Sequence, residues 1–135
     1  MKQTTDASEE ALTMKAMALT AKEKKDLFGV CPFVTAQKLL AGKWSIIVMH
    51  LLSEGPVRFN ELLRQLPQMT HATLSRQLKS LEENQLIVRK EYPQIPPKVE
   101  YSLSPIGERF RPVLDSIQTW GNEFIDGCNS GKLSL

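Results

Sequence analysis

The stretch "MTHATLSRQLKSLEEN", residues 69–84, decides how the rest of the chain is read. Thr70 can cap a helix by accepting a bond from a backbone N–H that has no partner in the first turn. Leu74, Leu78 and Leu81 then fall at i, i+4 and i+7, a stripe that has to be buried. At about 100° per residue, Ala72, Arg76, Lys79 and Glu83 point away from that stripe, with Thr73 and Ser80 beside them and Gln77 toward the margin. This polar face has the residue types that read a DNA groove. Ala72 permits close approach, Thr73 suits a base or a phosphate, Arg76 fits guanine in a two-point contact, and Gln77 fits adenine. His71, in the first turn, is a candidate for either kind of contact. A plain solvated helix face would also be polar, but here Arg76 and the small residues come first and Glu82 and Glu83 last, away from where phosphates would lie.

Upstream, Phe59, Leu62, Leu63 and Leu66 form a brief helical stripe that Pro67 ends, preceded by the extended piece "VRF". Before that, Trp44, Ile47, Val48, Leu51 and Leu52 recur with helical spacing until "SEGP" closes the segment. In "VCPFVTAQKLLAGKW", Pro32 suits a first helical turn and Gly42 a stop. Downstream, "LIVRKEYP" and "KVEYSLS" are rich in β-branched and aromatic residues and flank "QIPP", which predicts two antiparallel strands with a protruding tip. Ser104 and Pro105 start a last helix in which Phe110, Val113, Ile117, Trp120 and Phe124 advance by 3, 4, 3 and 4, with Pro112 expected to kink or restart it. Helices, then a hairpin, then a helix is the order of a winged helix-turn-helix: mainly α with a small β-hairpin. Arg89, Lys90 and Lys98, on or beside the hairpin, are candidates for backbone phosphates. Residues 29–104 would be the DNA-binding core and residues 105–135 a terminal pairing helix and tail. Residues 1–28 would be an appended, partly helical segment capped at Asp6 or Ser8.

At 135 residues the chain has enough length for one well-packed domain. Residues 58–98 hold seven basic against four acidic side chains, while residues 99–135 hold three against five, so the excess positive charge sits around the quoted helix and hairpin. No stretch approaches the roughly 20 apolar residues that cross a bilayer and no leader pattern opens the chain, so a cytoplasmic protein with no membrane partner is expected. Cys31 and Cys128 have no metal-ligand spacing, and neither a metal nor another cofactor is expected. His50 and His71 have no accompanying catalytic constellation, and no glycine-rich phosphate loop is present, which argues against an enzyme.

Taken together, Cys31-Pro32, Gly42-Lys43-Trp44, Gly55-Pro56 followed by Arg58-Phe59-Asn60-Glu61-Leu62, Leu78 through Glu82, and Tyr92-Pro93 through Tyr101 resemble the HxlR family of bacterial transcriptional regulators across residues 31–121. The resemblance implies a dimeric winged-helix repressor or activator on a palindromic operator in double-stranded DNA. Dimerisation also has its own argument: Phe110, Val113, Ile117, Trp120 and Phe124 make a stripe longer than a small core needs, and pairing across a twofold axis would bury it. Packing on the same chain's core is the alternative. A regulator needs an input, and Cys31 lies at a helix start, where the helix dipole favours a thiolate. Some members of the family sense oxidants or electrophiles through a cysteine here, so the resemblance permits a thiol switch, with Cys128 of the other subunit as a conceivable partner. A structural role for Cys31 and a small-molecule effector both stay open. So does a winged-helix module that binds a protein in place of DNA.

Overall fold

The computed structural model describes residues 27–134. The helix expected to follow Asp6 or Ser8 lies outside them. The chain divides into two units, Met1–Ala41 and Gly42–Leu135.

In the first unit, a turn closes where the N–H groups of Val30 and Cys31 both bond to the Leu27 carbonyl, with Gly29 at φ +84°, a region open to glycine. Cys31 is the extended N-cap of helix α1, Pro32–Leu39, and Pro32 takes a first-turn position where no N–H is needed. The cysteine thiol makes no capping bond. Thr35 does the tying: its hydroxyl donates to the Cys31 carbonyl at 2.7 Å and accepts from the Gly29 N–H at 2.8 Å.

The second unit begins with helix α2, Ser45–Leu52, then strand β1, Val57–Arg58, helix α3, Phe59–Gln65, and helix α4, His71–Glu83. Strands β2, Ile87–Tyr92, and β3, Lys98–Leu103, follow, and then helices α5, Pro105–Glu108, and α6, Arg111–Asn129. The three strands form one antiparallel sheet in the order β1-β3-β2. The expected hairpin is there, and "VRF" adds a third strand by pairing Val57 with Tyr101 and Arg58 with Glu100.

The core forms around α4. Leu74, Leu78 and Leu81 are fully buried, as are Val48, Met49 and Leu52 of α2 and Leu62 of α3. The α2 stripe is rotated from the one the sequence suggested: Ile47 is exposed, Trp44 and Leu51 are half-buried, and Ser45 and Met49 take the inward positions. "SIIVMHLL" is apolar nearly all round, so its own pattern does not choose the buried side.

The end of α4 is fixed by a Schellman turn. The Leu86 N–H reaches the Leu81 carbonyl at 3.0 Å and the Gln85 N–H reaches that of Glu82 at 2.9 Å, which places Gln85 at φ 65°. Ser104 bolts α5 to this corner. Its hydroxyl donates to the Gln85 carbonyl at 2.7 Å and accepts from the Gly107 N–H at 3.0 Å. Gly107 is required by the same contact, since a Cβ there would stand 2.1 Å from the Leu86 carbonyl oxygen. The terminal helix restarts at Arg111, with Pro112 in its first turn. The ring there removes a donor that a continuous helix would need, which is why the helical run from Pro105 breaks as expected.

A non-glycine residue in the left-handed region costs energy that glycine does not pay. Gln85→Gly should therefore stabilise the fold by about 0.5–1 kcal/mol, read as a higher urea midpoint at unchanged slope. An unchanged or lower midpoint would mean that the glutamine side chain is held favourably in that turn.

Candidate nucleic-acid interface

The helix-turn-helix consists of α3, the turn through Leu66–Thr70, and α4. Thr70 caps α4 as its sequence suggests, its hydroxyl oxygen accepting from the Thr73 N–H at 3.1 Å. That oxygen also lies 2.9 Å from the Thr73 hydroxyl, and Arg76 reaches toward the Thr73 oxygen at 3.5 Å. Thr70, Thr73 and Arg76 thus share one face of the helix. Thr70, His71, Ala72, Arg76, Lys79 and Ser80 are exposed and Thr73 is half-buried. Among the described residues, neither Arg76 nor Lys79 forms an ion pair within the protein. The His71 ring rests against Phe59, centroids 4.6 Å apart, which steadies the start of α4 on the start of α3.

Gln77 departs from its expected place. It is buried, its amide donating to the Ser45 hydroxyl at 3.0 Å, so it is not available to read a base. Gly42 makes room for it, since a Cβ at that position would come within 2.4 Å of the Gln77 amide oxygen. Gly42 therefore provides clearance for a side chain on α4 as well as following the first helix.

The hairpin separates the two residues that the sequence grouped on strand β2. Ladder register places Arg89 opposite Tyr101 and Lys90 opposite Glu100, on opposite faces of the sheet. Arg89 lines a cleft of about 460 Å³ between the wing and the start of α4, together with Arg58, Asn60, His71, Ser75 and Lys98. A hydrogen bond with Tyr101 raises the Arg89 pKa above its ordinary value against the cost of desolvation, with Glu91 helping. Lys90 and Lys98 both approach the Tyr92 ring, at 4.9 and 4.4 Å from its centroid. Lys98 also pairs with Glu100 at 3.3 Å, and the Tyr92 hydroxyl donates to the same carboxylate at 3.0 Å. Desolvation pushes the Glu100 carboxyl up, but the Tyr92 hydroxyl, Lys98 and Arg58 outweigh it and hold the carboxyl below its usual range. Lys98 is thus a partly compensated cation, anchored at the rim of the cleft. On α3, Arg64 is spent on Glu61, whose carboxyl its hydrogen bonds, with that of Gln65, hold down to about 2.

Arg58 and Asn60 were not singled out as contacts from the sequence. The signal was there in a basic residue directly ahead of the first helix of the motif, but only the pairing of β1 with β3 brings it to the wing.

Elsewhere, Cys31 is buried and Cys128 half-buried, both as free thiols. On α6 only Leu114 is buried. Val113, Trp120 and Phe124 are exposed, Phe110 and Ile117 half-buried, and Trp120 leans on Phe124 with centroids 6.3 Å apart. Ile125 adds a further exposed apolar side chain. Among the described residues no helix is long and apolar enough to cross a membrane.

A family model described as HxlR-like helix-turn-helix matches residues 39–128. An uncharacterised HTH-type transcriptional regulator of Halalkalibacterium halodurans is 48% identical over 91 residues, covering 67% of this chain and 80% of that protein. Among solved structures, the redox regulator HypR in its reduced form superposes with a TM-score of 0.69 at 35% identity, over 73% of this chain and 98% of its own. The reduced form of the transcriptional regulator YodB from B. subtilis gives 0.62 at 33% identity, over 70% and 94%.

The inward Gln77 and the outward Arg76 can be told apart by stability. Gln77→Ala leaves the Ser45 hydroxyl buried without its partner and should cost about 2–3 kcal/mol in urea unfolding, whereas Arg76→Ala should cost less than about 0.5 kcal/mol. Equal costs would contradict the placement.

Proposed function

This chain belongs to the HxlR-like helix-turn-helix family of transcriptional regulators, and from that premise we propose that it acts in the cytoplasm as a homodimer on a palindromic DNA operator. The observation that carries this reading is the polar face of α4, Thr70, His71, Ala72, Thr73, Arg76, Lys79 and Ser80, whose Arg76 and Lys79 form no ion pair among the described residues and which lies beside a cleft lined by Arg58, Arg89 and Lys98. A helix with its leucines buried and its small and basic residues free can enter a major groove. The cleft and Lys90 add charge that holds phosphates without reading sequence. Among the α4 residues, Arg76 is the one fitted to a two-point contact with guanine.

The second half of the proposal is the twofold pair. Phe110, Val113, Ile117, Trp120 and Phe124 leave an apolar face on α6 that a second copy of the helix would cover. Symmetry then requires two half-sites about one helical turn apart, or a multiple of it.

Cys31 is the proposed input. Its thiol takes no part in capping α1, although it stands at the positive end of that helix, and HypR, a structural neighbour, is named a redox regulator. Because the thiol is buried, an oxidant or electrophile has to wait for a local opening that exposes it.

Duplexes enriched by the protein from a random-sequence pool test the DNA reading. Wild-type affinity should fall at least about tenfold between 50 and 200 mM salt, and Arg76→Ala should lose about tenfold of its preference at one guanine. Binding that is absent or indifferent to salt would favour a protein partner. Trp120→Asp should shift the sedimenting species from dimer to monomer and weaken operator binding with it; an intact dimer would place the interface elsewhere. Treating wild type and Cys31→Ser with diamide tests the input: only wild-type binding should change, and identical responses remove the switch.

A further inference from the structure

The cleft between the wing and the start of α4 is a recess of about 460 Å³, within the roughly 300–1,000 Å³ in which proteins hold small ligands. We infer that it binds a small phosphate monoester bearing a flat ring, of the chemical class of a nucleoside monophosphate, and that this occupant excludes the DNA strand and so releases the operator. The competition rests on the DNA reading above; the binding itself does not.

Charge is the first argument. Arg58, Arg89 and Lys98 reach the cleft from three different strands, and none of the described residues lining it is acidic. Arg89 and Lys98 are offset from outside the lining, by Glu91 at 3.4 Å and Glu100 at 3.3 Å, while Arg58 forms no ion pair among the described residues. A phosphate within a DNA strand brings a single negative charge to this place. A phosphate monoester brings about 1.5–2 negative charges at pH 7 and three acceptor oxygens, the better match to two guanidinium forks and an ammonium.

The remaining lining is the second argument. Cations that only hold a DNA backbone can stand on an open surface. Here they share a recess with apolar walls. Phe59 and His71 are in ring contact on the helix side, with centroids 4.6 Å apart, and Pro96 and Pro97 stand on the wing side. A flat ring between these walls leaves water on both of its faces. The amides of Asn60 and Gln94, also in the lining, each offer a donor and an acceptor to the edge of such a ring. Apolar walls with a few polar groups among them are the composition of a small-ligand site.

Position is the third. The three cations are those assigned above to the DNA backbone, so an anion resting on them has to leave before a strand can enter. A ligand that binds only the DNA-free chain lowers the apparent affinity for DNA by a factor of one plus its concentration over its dissociation constant. The cleft is therefore an input separate from Cys31.

The probe is adenosine monophosphate, in equilibrium dialysis against the full chain without DNA, at a fixed ionic strength of about 150 mM. Binding should saturate near one nucleotide per chain, with adenosine and inorganic phosphate each at least about tenfold weaker. Arg58→Ala and Lys98→Ala, at unchanged urea midpoints, should each weaken it at least about threefold, whereas Lys132→Ala, which removes an exposed cation elsewhere, should leave it unchanged. On the duplex that wild type enriches from a random-sequence pool, nucleotide at ten times its dissociation constant should then weaken binding about tenfold at the same ionic strength. Absence of saturable binding, equal binding of adenosine or inorganic phosphate, or an equal loss in Lys132→Ala would overturn the site. Nucleotide bound with duplex affinity unchanged would overturn the competition and leave the DNA reading standing. A chain that takes the nucleotide but enriches no duplex would overturn the DNA reading and leave the ligand site standing.

Discussion

The constraint on which the rest depends is that α4 must be anchored by one side only. Leu74, Leu78 and Leu81 are fully buried, which removes their apolar surface from water and supplies most of the holding force. Apolar burial is not directional, however, and a helix held by leucines alone can slide or roll with little penalty. The Gln77–Ser45 bond adds the direction. It is buried, it spans 32 residues of sequence, and neither partner has water as a substitute. Rolling α4 would break this bond and leave two polar groups unsatisfied, so the bond fixes which residues face outward. That Gly42 must lack a side chain for the amide to fit ties the start of the second unit to the same requirement.

The end of α4 is held by a different device, and the difference has a consequence for the wing. The Schellman turn at Gln85 and the paired bonds of Ser104 join the end of the helix, the foot of β2, the exit of β3 and the start of α5 at one corner. The hairpin is therefore rooted where α4 ends while its far end stands over where α4 begins, around His71 and Ser75. The cleft is the space that remains between them. Its basic lining comes from three strands, Arg58 on β1, Arg89 on β2 and Lys98 on β3, so it depends on the sheet being assembled and is not a property of any one segment.

This explains how much could be read in the chain. The cap at Thr70, the leucine stripe and the break at Pro112 are local, written within one or two helical turns, and the structure has them where the sequence puts them. Gln77 illustrates the limit. Its angular position beside the leucines made either direction available, and the choice was made by Ser45 from another helix. The α2 helix failed locally for the opposite reason: with apolar residues on nearly every side, its sequence ranks no face above another, and Ser45 and Met49 face inward where Ile47 was expected to. Arg58 belongs to the same class. Two residues of strand have no legible period, and their place beside the wing follows from pairing with Tyr101 and Glu100 some forty residues later.

Charge and apolar surface are segregated along the chain in a way that fits the proposed assembly. The excess of basic residues lies within 58–98, the part that contains α4 and both wing strands, while residues 99–135 carry more acids than bases. The exposed apolar residues of α6 therefore occur in the acidic part. A polyanion attracts the first region and repels the second, so long-range electrostatics alone favours approach with α4 foremost and leaves α6 for a second copy of the chain. The same field offers α6 no reward for contacting DNA, and burial against an apolar surface is a way for Trp120 and Phe124 to leave water. In the proposed assembly the two surfaces thus need not compete: one is fitted to charge and base edges, the other to apolar area.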